Sequence, residues 1–323
     1  MPRPVESAPA NRESVRVLYI VGWGHSGSTL LDLAVGAAPN AVSVGEVIFF
    51  NFFRDRQRHA KILNELVCTC GSRFDSCEFW TRVLEAPRQR PFEVVYDEST
   101  FDRIRWIFRL IGWVLRGRRS DRAAEAFGDD AELFHRVLAV AGDGTELICD
   151  SSKDFARLAR LAMNPRIDLH AIHLVRDGRG VAYSYTKRWR TEAGLNSMGF
   201  FRAMVNWVGV NLVSRFVLLL AGCPRRTIHY EDFCSDPGSI LEELDRWLGL
   251  RISRDGVVGR INATTYHNLG GNPLRFEPIE EIRLDESWRR AVGPWARRLA
   301  GALVRLTNPF WPADPPADAA GRQ

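Results

Sequence analysis

An α/β fold with a parallel central sheet and flanking helices is the class this chain predicts, on three observations. The run Val17-Leu18-Tyr19-Ile20-Val21 is apolar and rich in β-branched residues, as a strand buried on both faces would be. A glycine-rich turn follows it, and then the apolar stretch Ser28 to Val35, which has helical length. The same order of strand, polar turn and helix recurs over Ala171 to Ser184. Strands that alternate with helices in this way pair in parallel, because a parallel neighbour needs a long crossover.

The further elements fall into place along the chain. Strands are expected at 17–21, 42–45, 146–150, 170–175 and 226–230, and a helix near Ser152, which Asp150 is placed to cap. Val205 to Gly222 is the most apolar later stretch, but Asn206, Asn211 and Arg215 interrupt it and Cys223-Pro224 ends it, so it is expected as a buried helix rather than a membrane span. Residues 49–145 separate the early strands from the later ones and are expected to form a mostly helical cover over an acceptor site. Residues 1–14 are polar, with no apolar core of the signal-peptide kind, and are expected as a disordered leader. The proline-rich 307–323 is expected as a flexible tail, leaving one domain over 15–306.

The first turn, Gly22-Trp23-Gly24-His25-Ser26-Gly27-Ser28-Thr29, carries most of the functional information. It sits at a helix N-terminus, where free backbone N–H groups point at an anion. Against the nucleotide-triphosphate pattern G-x-x-x-x-G-K-[ST], Gly22, Gly27 and Thr29 fit, but Ser28 stands where the lysine should be. The loop therefore suits one phosphate bearing a group to be transferred better than a triphosphate with magnesium. The second turn puts Arg176 at the end of its strand and Ser184 eight residues on, about two helical turns away. A guanidinium and a hydroxyl together hold a phosphate. Two anion sites on one sheet edge imply a nucleotide phosphorylated at two positions.

In these residues the chain resembles the sulfotransferases that use 3′-phosphoadenosine 5′-phosphosulfate, a family with a P-loop NTPase-like fold. Gly22 to Leu31 resembles their 5′-phosphosulfate loop, and Leu174-Val175-Arg176 with Ser184 resembles their 3′-phosphate site. Ile228-His229-Tyr230-Glu231-Asp232-Phe233 resembles a late strand whose tyrosine lies by the adenine, and Gly270-Gly271-Asn272-Pro273-Leu274-Arg275-Phe276 a loop closing over the donor. The likeness spans residues 17 to about 276. It implies donor binding by Gly24, His25, Ser26, Gly27, Ser28, Thr29, Arg176, Ser184, Tyr230 and Arg275. It also implies catalysis by Glu46, Lys153 and His25, with no metal required. Many relatives carry arginine or lysine where this chain has His25.

Sulfuryl transfer needs a base for the acceptor and a positive charge at the departing phosphate oxygen. Glu46 ends the strand Val42 to Gly45, resembles the Gly-Glu base of tyrosylprotein sulfotransferases, and is expected to be partly desolvated with a raised pKa; a simple pairing role is the alternative. Lys153, after Glu146 to Ser152, is expected to supply the charge absent at Ser28. A kinase with Asp150 as magnesium ligand, and a non-catalytic nucleotide-binding protein, are the rival readings.

The net charge of +5 and pI near 9.0 favour an anionic donor and an acidic acceptor or membrane surface, and leave the acceptor open among small-molecule, carbohydrate and lipid classes. No pattern of interleaved basic and aromatic residues of the nucleic-acid-binding kind accompanies the charge. Arginines at 103, 105, 109, 116, 118, 119 and 122 alternate with apolar residues over 101–122. That helix either packs on the domain with snorkelling arginines or lies on an anionic membrane, which would make a cytoplasmic protein peripheral at the bilayer. Cys68, Cys70 and Cys77 leave three readings open, a metal knuckle, a disulfide or an apolar turn; a metal lacks a fourth ligand unless His59 or a water provides it.

Overall fold

The structure is a computed structural model that describes residues 14–53, 67–85, 100–117, 130–187, 189–191 and 194–307. The leader apart from Ser14, the tail beyond Thr307, His59 and the arginines at 118, 119 and 122 lie outside the described residues.

Five strands form one sheet: β1 (Val15–Gly22), β2 (Ala41–Gly45), β3 (Leu147–Lys153), β4 (Ile167–Val175) and, after a two-stranded antiparallel hairpin of β5 (Trp189–Thr191) with β6 (Gly194–Asn196), β7 (Arg225–His229). The order is β2-β3-β1-β4-β7, with every pair parallel. All five expected strands are present, each within a few residues of its expected bounds. β1 is central, and its side chains alternate between two cores. Val15, Val17, Tyr19 and Val21 enter one, and Leu18 and Ile20 the other. Burial on both faces is why this strand is a continuous apolar run.

On one face lie α1 (Ser28–Gly36), α9 (Pro237–Leu248) and α10 (Val257–Ala263), contributing Leu31, Leu33, Leu241, Leu244 and Ile261. On the other lie α2 (Glu78–Glu85), α3 (Thr100–Leu115), α4 (Asp130–Ala141), α5 (Phe155–Met163) and α7 (Phe200–Ala221). Trp80, Trp106, Leu110, Phe134 and Val137 from 49–145 are buried in that second core. The segment is mostly helical where described, as expected, and it forms a layer of the domain itself. The remaining helices are α6 (Gly178–Thr186), α8 (Tyr230–Ser235), α11 (Ser287–Ala291) and α12 (Pro294–Thr307).

Two local expectations change. β3 runs on to Lys153 and α5 begins at Phe155, capped by Asp154, whose carboxylate accepts from the Arg157 N–H at 2.8 Å. Asp150 is not the cap: it is buried, and it accepts from Ser152 N at 2.9 Å, Ser152 Oγ at 2.5 Å and Arg157 Nε at 2.8 Å. Likewise Tyr230 opens a helix rather than closing a strand, because β7 ends at His229.

α7, of 22 residues, is the one described helix long and apolar enough by length and composition to cross a membrane. It packs by one face, where Trp207, Ser214 and Val217 are buried and Asn211 Oδ1 meets His173 Nε2 of β4 at 3.0 Å, while Val205, Leu212, Phe216 and Leu219 are exposed, so the helix expected to be buried is only partly so. α3 also packs, through Trp106 and Leu110, with the Arg160 guanidinium over Trp106 at 5.3 Å. Its other face leaves Phe101, Phe108 and Leu115 at 85%, 66% and 80% exposure.

Behind β3, Arg157 bridges Asp150 and Asp130, whose Oδ1 lies 2.6 Å from Nη1, with all three side chains buried. Arg157→Met leaves two buried carboxylates without their cation and should lower stability by about 3–5 kcal/mol in denaturant unfolding. An unchanged unfolding midpoint would show that the bridge does not hold this layer.

Candidate active site

The turn from β1 to α1, the ends of β2, β3 and β4, and the segment 271–276 enclose one cleft of about 950 Å³. That is room for a nucleotide and part of an acceptor. Gly24, His25, Gly27, Ser28, Thr29, Glu46, Lys153, Arg176, Ser184, Tyr230 and Arg275 all line it. Of the residues the sequence singles out for donor or catalysis, Ser26 does not: it is buried beneath the loop at 2% exposure.

Gly27 caps α1 in the left-handed region, at φ 86°, with no side-chain capping bond, so the first-turn N–H groups face the cleft without a capping oxygen. A side chain at this position would collide with the Tyr230 ring, which closes the floor of the loop. His25 is also left-handed, at φ 63°, and Lys153 at φ 66°. Such a conformation costs a residue with a side chain about 1–3 kcal/mol and persists only where surrounding contacts impose it. For His25 one such contact is Arg176, whose Nη1 donates to the His25 carbonyl at 3.0 Å.

Glu46 and Lys153 meet. Nζ lies 2.5 Å from Oε1, each side chain is 15% exposed, and Nζ also donates to Ser151 O at 3.3 Å. The glutamate is positioned by its backbone, since its N–H donates to Leu269 O at 2.6 Å and Gly45 before it is left-handed, at φ 67°. A side chain at Gly45 would lie 2.6 Å from that same carbonyl, so the close approach requires glycine. The pairing alternative for Glu46 thus holds in this state, with Lys153 rather than an arginine as the partner.

Arg176 is buried and held on three sides. It stacks 4.5 Å over the Tyr230 ring, donates to His25, and reaches Asp285, whose carbonyl lies 3.1 Å and whose Oδ2 lies 3.3 Å from Nη2. Ser184, from α6, lines the same part of the cleft. Arg179 belongs to the scaffold instead, paired with Asp177 at 2.6 Å and stacked over Trp288 at 4.6 Å. Arg275 donates to Gly271 O at 2.9 Å and to Val67 O at 3.2 Å, tying the closing segment to the cover. Asn272 N donates to Thr29 Oγ1 at 3.0 Å, so this segment already rests on the start of α1.

His25 adds no charge to the cleft. Burial, with Lys153, Arg176 and Lys187 nearby, lowers its pKa to about 4, so its imidazole is neutral at pH 7. The positive side chains that line the cleft are Arg103, Lys153, Arg176, Lys187 and Arg275. Sequence reasoning missed Tyr185, Lys187 and Asp285. Tyr185 stacks on Trp23 at 4.4 Å and meets His25 edge-on at 4.5 Å, and burial, followed by Glu46, raises its pKa to about 12. Its place directly after Ser184 was the available signal. Asp285 lies beyond the stretch in which the sequence carries any recognisable pattern.

No protein-family model matches the chain, and no curated protein does. Among solved structures, it is similar to the sulfotransferase domain from the Synechococcus PCC 7002 olefin synthase, at 18% identity over 95% of this chain and 98% of that one, TM-score 0.49. It is also similar to the sulfotransferase domain from the curacin biosynthetic pathway, at 15% identity over 90% and 97%, TM-score 0.48. A third is the sulfotransferase STF9 from Mycobacterium avium, at 14% identity over 93% and 77%, TM-score 0.44. All three are sulfotransferases. At such identities and scores the likeness carries no functional weight, and the chemistry has to come from the cleft.

His173, buried between β4 and α7, also has its pKa lowered to about 4 by burial. An unfolded chain binds protons at these histidines near pH 6.5, whereas the folded chain does so only near 4. Their contribution to stability is therefore complete above about pH 6.5 and is lost as pH falls toward 4. His25→Asn, which tolerates the left-handed backbone, should flatten part of that fall in urea unfolding measured at stepped pH. A profile identical to that of the unsubstituted protein would place the His25 pKa near its ordinary value.

Proposed function

We propose that this protein is a sulfotransferase that moves a sulfuryl group from 3′-phosphoadenosine 5′-phosphosulfate to an acceptor hydroxyl or amine. The observation that carries this reading is the convergence, in one cleft, of two separate anion subsites with a paired carboxylate and ammonium. The α1 N-terminus with Thr29 would hold the 5′-phosphosulfate, Arg176 and Ser184 the 3′-phosphate, and Tyr230, beneath Arg176, would lie by the adenine.

The Glu46–Lys153 pair supplies both charges the transfer needs. An incoming dianion competes with Glu46 for the ammonium. Lys153 then neutralises the bridging oxygen that leaves with the phosphate, and Glu46, relieved of its partner, takes the acceptor proton. The acceptor oxygen or nitrogen forms a bond to sulfur as the bond from sulfur to the bridging oxygen breaks, and 3′-phosphoadenosine 5′-phosphate departs. Neutral His25 donates a hydrogen bond through one ring N–H rather than a full charge.

The kinase alternative is weakened by Asp150, the carboxylate it would need for magnesium. Both oxygens of that side chain are committed to Ser152 and Arg157, and it does not line the cleft. No divalent ion is needed in the proposed reaction. A non-catalytic nucleotide-binding protein would bind the donor without turnover.

A small-molecule, carbohydrate or lipid acceptor would enter past Arg103, Phe155 and Phe276, which line the cleft. Peripheral contact of a cytoplasmic protein with an anionic membrane through 101–122 is part of the proposal. Exposed Phe101, Phe108 and Leu115 share α3 with exposed Arg105 and Arg109, and exposed Arg116 follows its last residue, the composition of an interfacial helix. Co-sedimentation with anionic vesicles at low salt should be lost on Phe101→Ser with Phe108→Ser, and absence of binding by the unsubstituted protein would remove the membrane from the account.

Release of 3′-phosphoadenosine 5′-phosphate from the donor, followed across a panel of acceptors in EDTA, tests the reaction itself. Turnover that requires magnesium would favour the kinase reading. In calorimetry with 3′-phosphoadenosine 5′-phosphate, Arg176→Ala should weaken binding roughly ten- to a hundred-and-fifty-fold, the loss of a charge-assisted contact of about 1.5–3 kcal/mol. Affinity unchanged by that substitution would remove the 3′-phosphate from Arg176. Glu46→Gln should keep donor affinity and lower turnover about 100- to 10,000-fold. Turnover equal to that of the unsubstituted protein would assign the base elsewhere.

A further inference from the structure

Away from the cleft, four potential metal ligands converge. Cys68, Cys70 and Cys77 meet His267, a residue almost two hundred positions later in the chain, and their ligand atoms all lie within 4.8 Å of one another. Cys77 Sγ is 3.6 Å from Cys68 Sγ, 3.7 Å from Cys70 Sγ and 3.3 Å from His267 Nδ1, while Cys68 Sγ is 3.8 Å from that nitrogen. A tetrahedral zinc ion, with Zn–S about 2.3 Å and Zn–N about 2.0–2.1 Å, sets sulfur atoms about 3.8 Å apart and sulfur to nitrogen about 3.6 Å. The four separations given above lie close to those of one such ion. They are too short for a multi-iron cluster, whose ligands spread over two or more metals.

We propose that Cys68, Cys70, Cys77 and His267 bind one structural zinc ion. The local backbone is built for it: Cys68 N donates to Ser72 O at 2.9 Å, Gly71 N donates to Cys68 O at 2.8 Å, and Gly71 turns the knuckle at φ 87°. The imidazole is fixed by stacking on Phe79 at 4.8 Å, and its backbone carbonyl accepts from Trp80 Nε1 at 2.7 Å. Cys68 and Cys77 are buried while Cys70 is exposed, which leaves the ion an entry path. With four protein ligands the coordination sphere is full, so the ion has no open position for chemistry. Binding releases the three thiol protons to solvent and leaves neutral imidazole as the fourth ligand.

The ion would fasten the cover to the segment that organises the cleft. From His267 onward, Asn268 Nδ2 donates to Asp32 Oδ2 of α1 at 2.8 Å, Leu269 holds Val44 and Glu46 by backbone bonds, and Asn272 reaches Thr29. Metal loss should therefore loosen both Glu46 and the anion loop.

Atomic emission on the purified full chain should give one zinc per chain, retained through dialysis against a mild chelator. Exchange for cobalt(II) should give a tetrahedral visible spectrum with thiolate charge transfer. Cys77→Ser and His267→Ala should each lose the metal and unfold at lower temperature, whereas Cys149→Ser, a buried cysteine outside the cluster, should keep it. If the ligand variants do not fold, the cobalt spectrum of the unsubstituted chain still decides. Substoichiometric zinc with no thiolate band, or a disulfide among Cys68, Cys70 and Cys77 in unreduced protein by mass spectrometry, would overturn the proposal. None of these readouts depends on sulfuryl transfer.

Discussion

The contact between Glu46 and Lys153 is the interaction on which the cleft depends. Each side chain projects from the end of a different strand into a space where only 15% of it meets solvent. A lone carboxylate or ammonium there would lose hydration without recompense, so each is held by the other. The geometry needs irregular strand ends, and both strands have them. The pairing of β1 with β3 shifts register between Tyr19 and Val21, and that of β2 with β3 between Ser43 and Gly45. Lys153 and Gly45 take left-handed backbone at those ends. Two opposite charges parked against one another are inert, and an anion that outcompetes the carboxylate would free both.

Rigidity behind the pair comes from the second core. Arg157 ties β3 to α4 and α5 through Asp150 and Asp130, and Asp154, which accepts from the Arg157 N–H, both caps α5 and meets Arg103 of α3 at 2.5 Å. The helices of 49–145 are thus coupled to the strand that carries Lys153 by buried charge as well as by apolar packing. On the opposite side, the segment 267–276 couples β2, α1 and the cover. The cleft is enclosed by elements that each contact at least two others, which lets strained residues such as His25 persist.

Much of this was legible in the sequence. β1 and β4 are apolar runs ended by glycine- or charge-rich turns, and local pattern is enough to find them and the two turns beside them that line the cleft. Gly27 and Arg176 follow from those turns. Residues brought in by distant segments were not legible: Asp285 on Arg176 and His267 beside the three cysteines both depend on how the chain returns after β7, where no periodic signal fixes the path. The cap of α5 was misplaced because β3 continues as strand through three polar residues, Ser151, Ser152 and Lys153, that locally favour a turn or a helix start. Charge state was also hidden, since the neutrality of His25 arises from burial and from cations far apart in sequence.

The proposal that an anionic donor separates Lys153 from Glu46 is the center of the functional account. A crystal structure of the protein with 3′-phosphoadenosine 5′-phosphate addresses it most directly. The account predicts the 5′-phosphate on the α1 N-terminus, Lys153 Nζ within hydrogen-bond distance of that phosphate, and Glu46 facing open cleft. A nucleotide bound with Lys153 still on Glu46, or with its 5′-phosphate away from the loop, would contradict it.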